Sequence, residues 1–259
     1  MSPSPILETR DLSRHFGGLK AVEDVTLQIT AGHFHSIIGP NGAGKTTLFN
    51  LLSGVLPPTR GQVLLRGQEI TTLPVHRRAH LGIGRSYQVT NIFPALSVLE
   101  NVRIAAQALG GDNFKLFANT ARFRHYQERA WQALAETGLS NVATMPALTL
   151  AHGDKRRLEL AILLAQEPAI LLLDEPTAGL AGELAPAFME LVARLCRQGQ
   201  RTVVLVEHNM DVVMTLSDRI SVMHQGQLLA EGTPVDIAAN PVVQQAYLGE
   251  LYEDVLAKL

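Results

Sequence analysis

Residues 39–47 read GPNGAGKTT. Gly39, Gly44, Lys45 and Thr46 satisfy the spacing G-x-x-x-x-G-K-[ST], a glycine-rich turn that opens a helix. Glycines at these places let successive backbone N–H groups turn inward around phosphate oxygens. The helix starting near Lys45 points its positive end at the same anion. Lys45 has the reach for β- and γ-phosphates, and the Thr46 hydroxyl suits Mg²⁺. Pro40, Asn41, Gly42, Ala43 and Thr47 complete the candidate nucleotide-binding loop. The competing reading is an ordinary glycine-rich turn. The apolar run Ser36-Ile37-Ile38 entering the loop and the helical stretch Lys45 to Ser53 leaving it argue against that reading, with Gly54 as the helix stop.

A second element lies downstream. Ala169 to Leu173 is a continuous apolar run ending in Asp174-Glu175. Such a run suits a central parallel strand buried on both faces. It presents Asp174 at its carboxyl end, where ligands of open α/β sheets bind. Asp174 there would hold Mg²⁺, and Glu175 is placed to polarise an attacking water. Two solvated carboxylates ending a strand would be the favoured reading in isolation, but not downstream of a phosphate loop. Thr202 to Val206 is a second such run, ending in Glu207-His208.

Around these runs the pattern changes along the chain. Ile6 to Ile29 reads as short strands around a turn at Gly17-Gly18, and Val63 to Leu65 as a strand between two glycines. From about Val98 to Gln166 the character is helical. Phe123, Tyr126, Ala130, Leu134 and Thr137 recur at three- and four-residue steps before Gly138. Ile220 to Glu231 reads as a hairpin turning at Gln225-Gly226. The expected fold is one α/β core with an inserted helical subdomain near residues 90–165.

Composition narrows the function. Of 259 residues, 46% are hydrophobic and 18% charged, enough for a sizeable core. A net charge of −2 leaves no basic field for nucleic acid and no polybasic run for lipid. Cys196 is the only cysteine, which excludes a disulfide within the chain and a thiolate metal cluster. The start MSPSPILETRD lacks a signal segment. The longest apolar stretches, broken by Gln166, Glu167 and Asp174, fall short of the roughly 20 residues that span a bilayer. Any membrane role is therefore expected to run through a partner.

The phosphate loop, Gln88, the stretch Leu150-Ala151-His152-Gly153-Asp154, Asp174-Glu175 and His208, in that order, resemble the ATP-binding subunits of ABC transporters. The resemblance covers about residues 6 to 249. It implies a P-loop NTPase (RecA-like) core at about 6–90 and 166–235, with an antiparallel β subdomain. A helical subdomain follows at about 91–165, and a C-terminal helical tail at 236–259. It also implies ATP and Mg²⁺ as cofactors. Phe16 then matches the aromatic that stacks on adenine. Gln88 matches the glutamine that senses Mg²⁺ and water, and His208 the histidine that contacts the γ-phosphate. Among the nine histidines, only His208 and His152 have such a placement.

In this family the stretch at 150–154 usually reads Leu-Ser-Gly-Gly-Gln and closes over ATP held by the opposite subunit. Gly153 and the following helix, with its stripe Leu158, Ala161, Ile162 and Ala165, keep the backbone and dipole part of that role. Ala151 replaces the serine. Asp154 replaces the glutamine and sets a carboxylate near a polyphosphate, with Lys155, Arg156 and Arg157 following to offset it. Ala181 stands where many relatives carry an aspartate. These departures look like a subfamily variant of an active enzyme.

FGGLKAVEDVTL, SVLENVRIAA and NPVVQQAYLGE look like the branched-chain amino acid importer group. That group implies a second ATPase subunit, paralogue or self, in a head-to-tail dimer. It also implies two transmembrane permeases, an extracytoplasmic solute-binding protein acting indirectly, and a place on the cytoplasmic face of a prokaryotic inner membrane. The segment Leu109 to Arg124 looks like the helical extension of the longer of two paired ATPase subunits. The alternatives are the ATPase of a lipopolysaccharide exporter, a soluble ABC protein of translation or DNA repair, and a non-hydrolysing structural cassette.

Overall fold

The computed structural model describes residues 5–86, 92–110, 124–180, 182, 184–198 and 201–246. Gln88, Ala181 and most of the segment 109–124 lie outside them.

The first strands are longer than the sequence suggests. β1 (Pro5–Phe16) and β2 (Leu19–Thr30) are twelve residues each and pair antiparallel across the Gly17-Gly18 turn. Val25, Leu27 and Ile29 point inward while Thr26 and Gln28 face out, the alternation of a sheet with one wet face. Bulges let both strands bend without ending, which is why they read as several short ones. β3 (Phe34–Ile38), α1 (Lys45–Ser53), β4 (Arg60–Leu65) and β5 (Gln68–Glu69) follow. β4 pairs with β1, so the four-stranded antiparallel sheet runs β2-β1-β4-β5. Gly54 ends α1 at φ 80°, as expected.

The second sheet is built from β3, β6 (Ile83–Arg85), β7 (Ile170–Asp174), β8 (Thr202–Val206), β9 (Arg219–His224) and β10 (Gln227–Gly232). Its order is β10-β9-β3-β8-β7-β6, parallel from β9 to β6, with β10 antiparallel at the edge. β3, β7 and β8 are buried at every residue. Alternate residues of β7 and β8 serve two cores. Ile170, Leu172, Val204 and Val206 pack with α1 and the antiparallel sheet. Leu171, Leu173, Val203 and Leu205 pack with the helices on the other face. That double demand is what made the runs continuously apolar.

The helices on that face are α3 (Val98–Ala108), α4 (Arg124–Thr137), α5 (His152–Leu164) and α6 (Leu184–Gln198); the short α2 (Val75–His80) precedes β6. Tyr126, Ala130, Leu134 and Thr137 form the buried stripe of α4. α7 (Met210–Leu216), α8 (Pro234–Ala238) and a helical segment at 241–246 are the last helical elements among the described residues. Among the described residues no helix is long and apolar enough to cross a membrane.

Arg78 of α2 is buried and carries its charge into the C-terminal end of α1. It donates to the carbonyls of Leu51 (2.8 Å), Leu52 (2.7 Å), Thr71 (2.9 Å) and Leu73 (3.0 Å). A cation at a helix C-terminus is favoured by the dipole and satisfies its last carbonyls. Burial pushes its pKa down to about 10, so it stays charged at neutral pH.

His35, the second residue of β3, is also buried, with Nε2 2.8 Å from the Ser221 hydroxyl. Burial, with smaller contributions from Arg219 and His33, pushes its pKa down to about 4. The unfolded chain takes up a proton near pH 6.5 while the folded protein stays neutral until about pH 4. Stability should fall by about 3 kcal/mol as pH drops through that window, and no further below it for this group. Urea unfolding between pH 7 and pH 4 tests this, with His35→Leu expected to lose that share of the slope.

Candidate nucleotide site

The phosphate loop is wedged between two strands. A Cβ on Gly39 (φ 151°) would lie 2.1 Å from the Met223 carbonyl oxygen of β9. One on Gly44 (φ 96°) would lie 2.3 Å from that of Ala21 in β2. Neither backbone oxygen has freedom to retreat, so glycine is required twice over, by space and by conformation. The Ala43 N–H donates to the Pro40 carbonyl (3.1 Å) and the Gly226 N–H to that of Ala43 (3.1 Å). The β9–β10 turn thereby pins the crown of the loop. Lys45 Nζ donates to the carbonyls of Gly39 and of Pro40 (2.8 Å for the second), which fixes the ammonium inside the arch.

The loop opens on a cavity of about 520 Å³. Asn41, Gly42, Ala43, Gly44, Lys45, Thr46 and Thr47 line it, joined by Glu175 and His208 from the ends of β7 and β8. Nine sequence-predicted residues thus meet in one place. Leu19, Lys20, Ala21 and Gln225 also line it and were missed. Only Lys20, a cation beside an anion site, carried a readable signal. Phe16 is not part of the lining. It sits at the β1–β2 turn, 44% exposed, with the Arg14 guanidinium 4.7 Å from its ring centroid.

Glu175 and His208 are in contact, His208 Nε2 donating to Glu175 Oε1 at 2.9 Å. Glu175 adopts φ 47°, the left-handed region that non-glycine residues rarely take. Its N–H donates to the Val206 carbonyl (2.9 Å), and its own carbonyl accepts from Ala178 (3.0 Å). Next door, Glu207 is buried with both carboxylate oxygens engaged. Oε1 accepts from the Thr177 N–H (3.3 Å) and hydroxyl, and Oε2 from the N–H groups of His208 (2.8 Å) and Asn209 (3.4 Å).

Asp174 is buried, and its Oδ2 lies 3.5 Å from Arg85 Nη2. Burial raises its pKa, Arg85 pulls it back down, Glu175 raises it further and Lys45 lowers it. Oδ1 is buried with no hydrogen-bond partner among the described residues. A buried carboxylate oxygen left unpaired costs free energy unless a cation takes it, so Asp174 would fit a hard divalent ion. Arg85 also donates to Asn50 Oδ1 (2.7 Å) and Ser53 Oγ (2.6 Å), tying Asp174 to α1. Sequence alone gave Arg85 no role.

The variant stretch at 150–154 lies elsewhere. α5 begins at His152, so Gly153 and Asp154 fall in its first turn, with Ala151 as N-cap and no side-chain cap bond. Gly153, Ala151 and Asp154 line a separate cavity of about 310 Å³ with Leu180, Leu184 and Phe188. It shares no residue with the phosphate cavity. Of the three basic residues expected to offset Asp154, Arg157 approaches it, at 3.6 Å. Arg156 turns to Glu159 (2.9 Å) and to the Ala178 carbonyl (2.9 Å). His152 packs against Gly179, where an added methyl would sit 3.3 Å from its Cε1.

A phosphate loop at the β3–α1 junction, an acidic pair ending β7 and a histidine after β8 define a nucleotide-hydrolysing P-loop enzyme. The ABC transporter family matches residues 22–178, and the branched-chain amino acid ATP-binding cassette transporter family matches 227–253. The chain is 43% identical to the high-affinity branched-chain amino acid transport ATP-binding protein LivG of Escherichia coli K12, over 95% of this chain and 98% of that one. It is equally similar, at 43% with the same coverage, to BraF of Pseudomonas aeruginosa. The ADP conformation of MJ1267, an ATP-binding cassette of an ABC transporter, superposes with a TM-score of 0.81 at 29% identity, over 95% of this chain and 99% of that one. A dimeric post-hydrolysis state of the cassette MJ0796 bound to ADP and Pi gives 0.73 at 27%, over 88% and 98%. The chain belongs to the ABC transporter family, as one of its nucleotide-binding ATPases.

Arg85→Met is expected to cost about 3–5 kcal/mol, as when one partner of a buried ion pair is removed. Adding Asp174→Asn should return ~0.5–3 kcal/mol of that loss. Urea unfolding of the two single variants and the double variant checks it; strict additivity would refute the coupling.

Proposed function

We propose that this chain is the ATP-hydrolysing subunit that energises an importer of branched-chain amino acids or related small amides. The observation that carries the reading is the 43% identity to LivG and BraF across 95% of the chain. The C-terminal match to the branched-chain amino acid cassette family favours import over the lipopolysaccharide-export alternative.

The roles are those that the matched motif residues imply. The loop N–H groups of Asn41, Gly42 and Gly44 and those of Lys45, Thr46 and Thr47 at the N-terminus of α1 hold the β- and γ-phosphates, with Lys45 supplying charge. Phe16 offers an apolar face to adenine from the rim. Thr46 and Asp174, with Gln88, are the residues that would hold Mg²⁺, whose charge offsets that of the phosphate oxygens. Glu175 takes a proton from the attacking water, and His208 fixes the carboxylate that does so.

The segment Ala151 to Asp154 serves a nucleotide on the opposite subunit. Its separation from the chain's own phosphate cavity supports a head-to-tail dimer in which each subunit completes the other's site. The second ATPase subunit is a paralogue or a second copy. Two permeases hold the pair on the cytoplasmic face of the membrane, and an extracytoplasmic solute-binding protein acts through them.

Two outcomes are expected. In the purified assembled complex, Glu175→Gln should lower ATP turnover by about 10²–10⁴-fold, the range of a lost general base, while ATP still binds; unchanged turnover would remove Glu175 from the chemistry. A mild-detergent pull-down of the tagged chain from its own cells should bring two polytopic permeases and a second ATPase subunit. Recovery with export permeases would overturn the importer reading.

A further inference from the structure

Glu207 has no role in the chemistry described above, yet its buried carboxylate joins both catalytic turns. It follows β8 directly and is 5% exposed. A buried carboxylate that meets no basic side chain among the described residues is expensive. This one is satisfied by hydrogen-bond donors alone, and they come from two separate turns. Thr177, two residues beyond Glu175, gives its N–H and hydroxyl to Oε1. His208 and Asn209 give their backbone N–H groups to Oε2. One carboxylate therefore bridges the turn that carries Glu175 and the turn that carries His208.

Both turns need such a bridge. Glu175 sits at φ 47°, a conformation that persists only where the surroundings over-determine it. The 2.9 Å contact between Glu175 and His208 is made by two side chains that are 29% and 48% exposed. Packing alone does not hold groups that open to water in one geometry. We infer that Glu207 is a positioning residue, which sets the distance and orientation of the Glu175–His208 pair by clamping their two turns from beneath. This rests on the proposed roles of Glu175 and His208. It predicts that the glutamate cannot be replaced by its amide. Glutamine has one acceptor oxygen, and its NH₂ would face the N–H donors of one turn or the other. It must release one of the two turns.

The test compares Glu207→Gln, Thr177→Val and the double variant in the purified transporter complex, beside Glu175→Gln. Thr177→Val removes the hydroxyl contact, keeps the backbone one, and serves as the milder change should Glu207→Gln fold poorly. Misplacing a catalytic group by about 1 Å costs on the order of 10²-fold in rate, so kcat should fall by that order in Glu207→Gln, with the KM for ATP within about threefold. Thr177→Val should lose less, and the double variant no more than Glu207→Gln alone, because both cut one bridge. Nitrogen NMR of the His208 ring in the isolated chain gives a readout independent of turnover. The signature of the Glu175 hydrogen bond should be present in the unaltered chain and lost in Glu207→Gln. The proposal is overturned if kcat holds in both single variants while Glu175→Gln abolishes it, or if the His208 signature survives in Glu207→Gln. If Glu175→Gln also keeps full turnover, the assignment of the catalytic pair fails instead, and the NMR comparison still decides whether Glu207 holds it.

Discussion

The site depends on how closely the backbone at Gly39 and Gly44 passes the carbonyls of Met223 and Ala21. Two strands from different sheets leave the loop no room for a side chain at either place. The same squeeze goes with the loop's shape, which holds Gly39, Gly42 and Gly44 at positive φ. Everything else at the site is arranged around that arch. Lys45 is threaded into it, the β9–β10 turn is bonded to its crown, and α1 leaves it with its positive end toward the cavity. At the far end of α1, Arg78 and Arg85 take up helix carbonyls and side chains, so the helix is held at both ends.

Arg85 also touches Asp174, which brings the acidic strand into the same framework. Glu175 and His208 lie at the ends of adjacent parallel strands, β7 and β8, whose register is fixed over five residue pairs by burial on both faces. The strands bring the two turns side by side. Glu207 then spans the gap between them. Rigid sheet, strained turns and a buried brace form a graded series, from elements that scarcely move to side chains that meet the substrate. α5 is tied to the same region through Arg156 and the Ala178 carbonyl. The stretch at 150–154 is thus mechanically linked to the catalytic turn of its own chain while its cavity opens elsewhere.

Much of this was legible in the residues, and for definite reasons. β7 and β8 announced themselves because a strand shared by two cores admits no polar position until it ends. α1 was bounded by a glycine pattern at one end and Gly54 at the other. The four-residue stripe of α4 reflects one apolar face meeting its neighbours. The first two strands were misjudged in length because bulges interrupt their alternation without breaking their pairing. Arg78, Arg85 and Glu207 were invisible. Their side-chain partners are 30 or more residues away in the chain, and their other partners are backbone groups, which have no letter in the sequence. The charge arrangement around Asp154 differed from expectation because consecutive helical residues point in different directions, so Arg156 and Arg157 cannot serve the same partner. Gln88, Ala181 and the extension at 109–124 rest on the resemblance alone.

The most direct measurement is calorimetric titration of Mg-ATP into the unaltered chain, Gly44→Ala and Gly67→Ala. Gly44 and Gly67 both hold positive φ, at 96° and 77°, but a methyl meets the Ala21 carbonyl at the first and open space at the second. If the arch is the nucleotide cradle, Gly44→Ala should weaken binding by at least about tenfold, or 1.4 kcal/mol, with Gly67→Ala binding like the unaltered chain. Equal affinity in all three would contradict it.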